Sequence, residues 1–229
     1  EGLQVLASLR RGRTLVTLAP ERTEPDTIRR LVASGVTVAA GHTDGSYAAV
    51  RAAIDAGLTG VTHLFNAMSP LGSREPGAVG AALESDRTWC AIIVDGHHVS
   101  PVTLRLALRC KPHDRFMLVT DAMPTLGSDS TTFALNGRDI RVENGMLVDE
   151  VGTLAGAQLD MMSAVRNAVQ LLDVPVEEAV AMASTVPATF LKIDDQWGAI
   201  APGYRASLVA IDHALTVSRS WIDGTELRA

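Results

Sequence analysis

Five apolar runs rich in β-branched residues alternate with segments of helical period along the first half of the chain. The runs cover 15–19, 36–40, 60–65, 91–94 and 116–120, and the segments between them cover 26–34, 46–56, 76–84 and 101–110. Nearly continuous apolar runs suit strands covered on both faces. Their alternation with helices predicts parallel pairing through right-handed crossovers. After Asp121 the pattern changes. Asn136-Gly137 and Asn144-Gly145 separate short alternating stretches and predict two tight hairpins. Helices are expected at 160–172, 176–183 and 187–192, and strands of a small β unit at 207–211 and 216–223, beyond Pro202-Gly203.

Polar residues capable of chemistry recur at the strand ends. His42 follows the second run, His63 lies inside the third, the stretch from Asp95 to His98 follows the fourth, and Asp121 follows the fifth. A (β/α)8 barrel builds its active site at that rim from several strands. A doubly wound sheet concentrates its site at one switch point, usually with a glycine-rich phosphate turn, and no G-x-G-x-x-G follows a strand here. The expected class is α/β: a (β/α)8 barrel of which this chain supplies about the last five strand–helix units, the other three lying upstream of Glu1. Residues 1–197 are expected to form this barrel portion, with a hairpin insertion near 131–150. Residues 198–229 are expected to supply strands of a small β-sandwich domain.

Composition narrows the function. Of 229 residues, 47% are apolar and 20% charged, an ordinary globular balance. The net charge of −6 without a long basic run argues against a nucleic-acid partner, and the 4% aromatic content against base stacking. No run approaches the roughly 18 apolar residues that a membrane span requires, and the first residues show no leader pattern. Cys90 and Cys110 are too few for a disulfide framework. A cytoplasmic enzyme with reduced thiols is expected.

His42 and His63 are one strand–helix unit apart, which predicts two imidazoles on the same rim, able to ligate one divalent ion. Read singly, each is a polar residue satisfied at a strand end. Asp121 is placed to move a proton between water and a leaving amine, or, alone, to cap the next segment. The loop from Asn66 to Gly77 leads into a helix with Pro76 expected at its first position. Free N–H groups there, with Arg74, suit a phosphate; the alternative is a surface Arg74–Glu75 pair of little energetic weight. One of His97 and His98 is expected to face the cleft. His113 and His213 sit in turn-like contexts and are expected to be solvated, and Met161 and Met162 to be core.

Taken in order, Ala40-Gly41-His42-Thr43, the stretch from Val61 to Met68 (VTHLFNAM), Arg74-Glu75-Pro76-Gly77, the stretch from Asp95 to Val99 (DGHHV) and Leu118-Val119-Thr120-Asp121-Ala122 resemble the N-acetylglucosamine-6-phosphate deacetylase family of the amidohydrolase superfamily. The resemblance covers essentially the whole chain, including residues 152–156 (GTLAG) and 198–203 (GAIAPG). It implies a metal-dependent amidohydrolase that converts N-acetyl-D-glucosamine 6-phosphate to glucosamine 6-phosphate and acetate. In that reaction water is activated by the metal, with Asp121 as general base and acid. It implies His42 and His63 as metal ligands and a divalent cofactor, zinc or else iron, as one ion or two. Asn66 and the backbone of Ala67 would contact the sugar phosphate, Arg74 would pair with the phosphate, His98 would bind the sugar, and Leu154 would lie in a loop near the acetyl pocket. A homodimer is implied, with a small-molecule phosphosugar substrate. The family's ligand glutamate and its carbonyl-polarising histidine are expected upstream; Glu21 matches a position outside the metal site. Ser207 stands where the family's tail has aspartate, a departure expected to affect a turn and not the chemistry. Three alternatives remain: the galactosamine epimer as substrate, a cyclic-amide hydrolase (against which the Arg74 loop argues), and a non-catalytic phosphosugar-binding protein. Residues 1–229 alone are expected to hold metal weakly and to lack appreciable activity.

Overall fold

The structure, a computed structural model, describes residues 2–8 and 11–227. The outer limits expected for the two units, Glu1 and Ala229, therefore lie outside the described residues. After a short helix α1 (Gly2–Ala7), strands β1 (Leu15–Leu18), β2 (Thr37–Ala40), β3 (Gly60–Val61), β4 (Trp89–Ile92) and β5 (Phe116–Leu118) pair in sequence order. Every pairing is parallel. Helices α2 (Pro25–Ala33), α3 (Tyr47–Asp55), α4 (Gly77–Glu84) and α5 (Pro101–Leu108) fill the four intervals, as the periodicity predicts.

Local chemistry sets these elements. Pro25 opens α2 and turns Ile28 and Leu31 inward, while the Ser46 side chain caps α3 by accepting from the Ala49 N–H. All four residues of β2 are buried, as a strand between two covered faces requires. Register then fixes the rim: Leu18 lies opposite Ala40, and Ala40 opposite Val61. His42 and His63 each come two residues past that Ala40–Val61 pair, so they leave the sheet at the same level.

The third strand is shorter than its apolar run. It ends at Val61, because the chain turns at His63 with φ +33° and at Phe65 with φ +78°. His63 thus stands beyond the strand, not inside it.

Beyond β5 the insertion is larger than two hairpins. Strands β6 (Thr132–Leu135), β7 (Arg138–Glu143), β8 (Met146–Val148) and β9 (Leu154–Ala157) form a four-stranded antiparallel meander. Both Asn-Gly turns form as predicted, with φ +51° at Asn136 and Asn144 and φ +78° and +79° at the glycines. Helices α6 (Met161–Leu172), α7 (Val176–Ala183) and α8 (Thr185–Leu191) follow. Met162 packs against the core, but Met161 is 38% exposed, against expectation, because it occupies the first turn of α6.

Helix α8 lies against one end of the inner sheet face. Phe190 packs on Trp89 with ring centroids 5.8 Å apart, and a Cβ on Gly60 would come within 2.6 Å of the Phe190 ring. A mostly apolar cavity of about 180 Å³ remains on that face, lined by Thr17, Ala39, Val61, Ala91, Met117 and Phe190 among others. The tail forms an antiparallel sheet of β10 (Leu208–Ile211), β11 (Val217–Ile222) and β12 (Thr225–Leu227). It is tied to α6 by Arg166, which donates to the Leu215 carbonyl at 2.9 Å. The Ser207 hydroxyl, just before β10, accepts the N–H of Asp223 in the turn between β11 and β12 at 3.2 Å. Among the described residues, no helix is long and apolar enough to cross a membrane.

Candidate functional site

His42 and His63 converge. Their Nε2 atoms lie 3.0 Å apart, with ring planes 84° to each other. His63 is 6% exposed, whereas His42 is exposed at the rim. Burial holds the His63 pKa below the ordinary imidazole value; the His42 ring lowers it further, against a raising influence from the Asp121 charge. A neutral imidazole is the form that ligates a metal. Nitrogen–metal contacts run at roughly 2.0–2.1 Å, so two lone pairs at this separation are within reach of one ion. The Nδ1 of His63 is buried without a partner. Ligand histidines usually donate that second nitrogen to a carboxylate or carbonyl, so the fit to a metal rests on the Nε2 pair. Among the described residues, no group of three or more His, Cys, Asp or Glu side chains is placed to hold an ion.

Backbone strain concentrates at this rim. His42 (φ +49°), His63 (φ +33°), Phe65 (φ +78°), Ala67 (φ +45°) and Asp121 (φ +50°) all adopt the left-handed region, which side-chain-bearing residues enter rarely and at functional sites. Hydrogen bonds between loops maintain it. Thr43 N–H donates to the Ala67 carbonyl at 3.0 Å, and Ser69 N–H donates to the Thr43 carbonyl at 2.9 Å. The Asn66 amide donates to the carbonyls of His63 (3.1 Å) and Leu64 (3.4 Å), closing its own turn. Its NH2 group is thereby engaged within the turn, at which Ala67 is exposed.

Asp121 is exposed just past β5, and its main chain is clasped by β9. Ala157 N–H donates to the Asp121 carbonyl at 2.8 Å, and Met123 N–H to the Ala157 carbonyl at 3.3 Å. This approach requires Gly156 (φ +82°), where a Cβ would lie 2.4 Å from Met123 Cγ. Leu154 is the first residue of β9, not part of a loop. It lines a crease of the meander with Leu135, Ile140 and Asp149.

Of the adjacent histidines, His97 is exposed and His98 turns inward, its side chain 7% exposed. Its Nδ1 lies 2.6 Å from Asp95 Oδ2, while Asp95 Oδ1 accepts the N–H groups of His97 (2.8 Å) and His98 (2.9 Å). Burial disfavours the Asp95 carboxylate, but the His98 ring and these two N–H groups outweigh it and bring its pKa down to about 2. Asp95 orients His98, a role not evident from the sequence. The aspartate followed by glycine, three residues before the histidine, is its signal, because Asp side chains close such turns on following N–H groups.

The loop from Asn66 to Gly77 differs from expectation in its helix end. Pro76 precedes α4 instead of opening it, and the helical N–H groups are taken: Gly77 donates to Glu75 Oε1 at 2.9 Å and Ala78 to Ser69 Oγ at 2.8 Å. Glu75 Oε1 also accepts the Tyr47 N–H at 2.7 Å, and these bonds hold its pKa below the usual carboxylate value. The helix end is therefore not a free anion site. Glu75 is occupied as a cap and not as an Arg74 partner, and Arg74 is exposed without an ion pair among the described residues. His113 is not simply solvated: its Nδ1 contacts Glu178 and ties the 3-10 turn before β5 to α7. His213 is exposed, as expected.

Residues 4–227 match the amidohydrolase family. The chain is 48% identical over 93% of its length to N-acetylgalactosamine-6-phosphate deacetylase of Shewanella sp. (strain ANA-3), covering 54% of that protein. It is 39% identical over 91% of its length to N-acetylglucosamine-6-phosphate deacetylase of Vibrio furnissii, covering 52% of it. The crystal structure of N-acetylglucosamine-6-phosphate deacetylase from Pasteurella multocida superposes with a TM-score of 0.90 at 36% identity, over 94% of this chain and 57% of that one. The chain thus spans about half the length of the relatives it matches.

Proposed function

This chain belongs to the amidohydrolase family, whose TIM-barrel-type fold its five parallel strands follow, and on that premise we propose that its protein hydrolyses the acetamide of N-acetyl-D-glucosamine 6-phosphate. The products are acetate and glucosamine 6-phosphate. The observation that carries this reading is the meeting of His42 and His63 Nε2 at 3.0 Å, on the rim from which Asp121 also projects. His42 and His63 would hold a divalent ion, zinc or else iron, both of which suit imidazole, and it would supply Lewis acidity and lower the pKa of water towards roughly 7.

The remaining work falls to this chain's own groups. Asp121 accepts a proton from water and returns it to the departing amine. Asp95 commits the Nδ1 of His98, which leaves Nε2 for a sugar hydroxyl. Arg74, exposed and without an ion pair among the described residues, takes the phosphate, two of whose oxygens match a guanidinium fork; the Ala67 N–H assists. Leu154 is assigned to the acetyl side. The remaining barrel strands and ligands lie upstream, the tail sheet is part of a β-sandwich, and the protein is a cytoplasmic homodimer.

A second substrate has a specific observation in its favour: the 48% identical relative is named for the galactosamine epimer. Assaying acetate release from both 6-phosphates with the complete protein decides between them, and no release from either would sink the proposal. Arg74→Ala is expected to penalise phosphorylated substrate by about 10- to 150-fold relative to the unphosphorylated sugar, the equivalent of roughly 1.5–3 kcal/mol for a hydrogen bond to a charged group. Equal losses on both substrates would confine Arg74 to shaping its loop.

A further inference from the structure

Glu21 lies in the 3-10 turn Pro20–Arg22, just past the end of β1. Both of its carboxylate oxygens reach the loop after β2. Oε2 accepts the Thr43 hydroxyl, and Oε1 accepts the Asp44 N–H at 3.0 Å. The Thr43 hydroxyl oxygen in turn accepts the Gly45 N–H at 3.0 Å, in a position where Thr43 is 1% exposed. The other side of Thr43 is pinned through its main chain to Ala67 and Ser69 of the His63 loop.

Thr43 follows His42 directly, so the peptide that carries the His42 ring is held from two directions. That hold matters, because the left-handed conformation of His42 (φ +49°) is disfavoured for an L-residue. Such a conformation persists where surrounding bonds over-determine it. His42 is exposed, and among the described residues the hydrogen-bonding neighbour of its ring is His63 Nε2. What fixes the position of His42 is therefore its loop.

We propose that Glu21 is a positioning residue for His42, acting through Thr43 and Asp44, and that it sets how tightly the histidine pair takes a divalent cation. The proposal rests on the reading of His42 and His63 as ligands. In this role a carboxylate outside the metal site closes the β1 side of a clamp whose other side is the His63 loop.

The test is a Co2+ titration of the complete protein, followed by visible absorption, for wild type, Glu21→Ala, Glu21→Gln and Thr43→Val, with melting of each metal-free form. Glu21→Ala is expected to lose about 10-fold in Co2+ affinity or more, the scale of lost outer-shell support, with little change in melting. Glu21→Gln is expected to recover most of that affinity, because its carbonyl accepts the Asp44 N–H and its amide donates to the Thr43 oxygen. Thr43→Val keeps the β-branched shape in its buried site and is expected to match Glu21→Ala, so it carries the test if Glu21→Ala does not fold. Wild-type affinity in Glu21→Ala and Thr43→Val would overturn the proposal while leaving the ligand reading intact. Equal losses in Glu21→Ala and Glu21→Gln would overturn it in favour of a simple charge effect. No Co2+ uptake by wild type would remove the ligand reading and this inference together.

Discussion

Asp121→Asn in the complete protein is expected to lower turnover by about 10²- to 10⁴-fold, the usual contribution of a positioned proton-transfer group, with metal content near that of wild type. Asparagine suits this test for a backbone reason. Asp121 sits at φ +50°, and Asn, like Asp, tolerates the left-handed region where most side chains do not. The clasp from Ala157 N–H to the Asp121 carbonyl is a main-chain bond and survives the substitution. The change therefore removes the titrating oxygen and leaves the local geometry in place. The Asp121 charge also raises the His63 pKa; its loss favours the neutral imidazole, which does not oppose metal binding. Metal analysis and steady-state kinetics on the same preparation check both halves of the expectation. Turnover like that of wild type would take Asp121 out of the proton path, and loss of metal would make it a ligand instead.

The histidine pair and the five-strand order were legible because they depend on local signals. β-branched runs announce parallel strands, and matched polar residues at their ends announce a common rim. The hairpins at Asn136-Gly137 and Asn144-Gly145 were legible for the same reason: the turn dipeptide itself requires φ > 0. Strand β9 was not, because Gly152 and Gly156 bracket only a short stretch, and its pairing depends on the approach of Gly156 to Met123. His63 reads as lying inside a strand because Val-Thr-His-Leu-Phe is an apolar, β-prone run; nothing in a histidine announces φ +33°. The occupied end of α4 was also hidden. Glu75 closes it together with Tyr47, 28 residues away in sequence, a tertiary contact that reads locally as an Arg–Glu surface pair.

Gly41→Val is expected to weaken metal binding by about 10- to 100-fold, the range associated with disturbed ligand support, and to lower the melting temperature. Gly41 is required for space, not for a turn. A Cβ there would lie 2.4 Å from Thr62 Cγ2 and 2.9 Å from Thr17 Cγ2, on the inner face where β1, β2 and β3 adjoin. Both neighbours are β-branched and stiff at χ1, so neither can swing aside as a long side chain would. The Gly41 N–H is also committed to the Leu18 carbonyl at 3.2 Å, and Thr62 N–H to the Ala40 carbonyl at 2.9 Å. A new side chain must therefore push the backbone, and the next residue along is His42. Overpacking of this kind typically costs about 1–3 kcal/mol, with Gly41→Ala milder than Gly41→Val. Pairing Gly41→Ala with Thr62→Ala removes the closer clash and leaves the one with Thr17, so partial recovery of metal affinity is expected. Isothermal titration with Zn2+ and thermal melts of the single and double variants measure this directly. Wild-type affinity and melting in Gly41→Ala would show that the rim absorbs a methyl group without moving His42, and the steric account of this glycine would then fail.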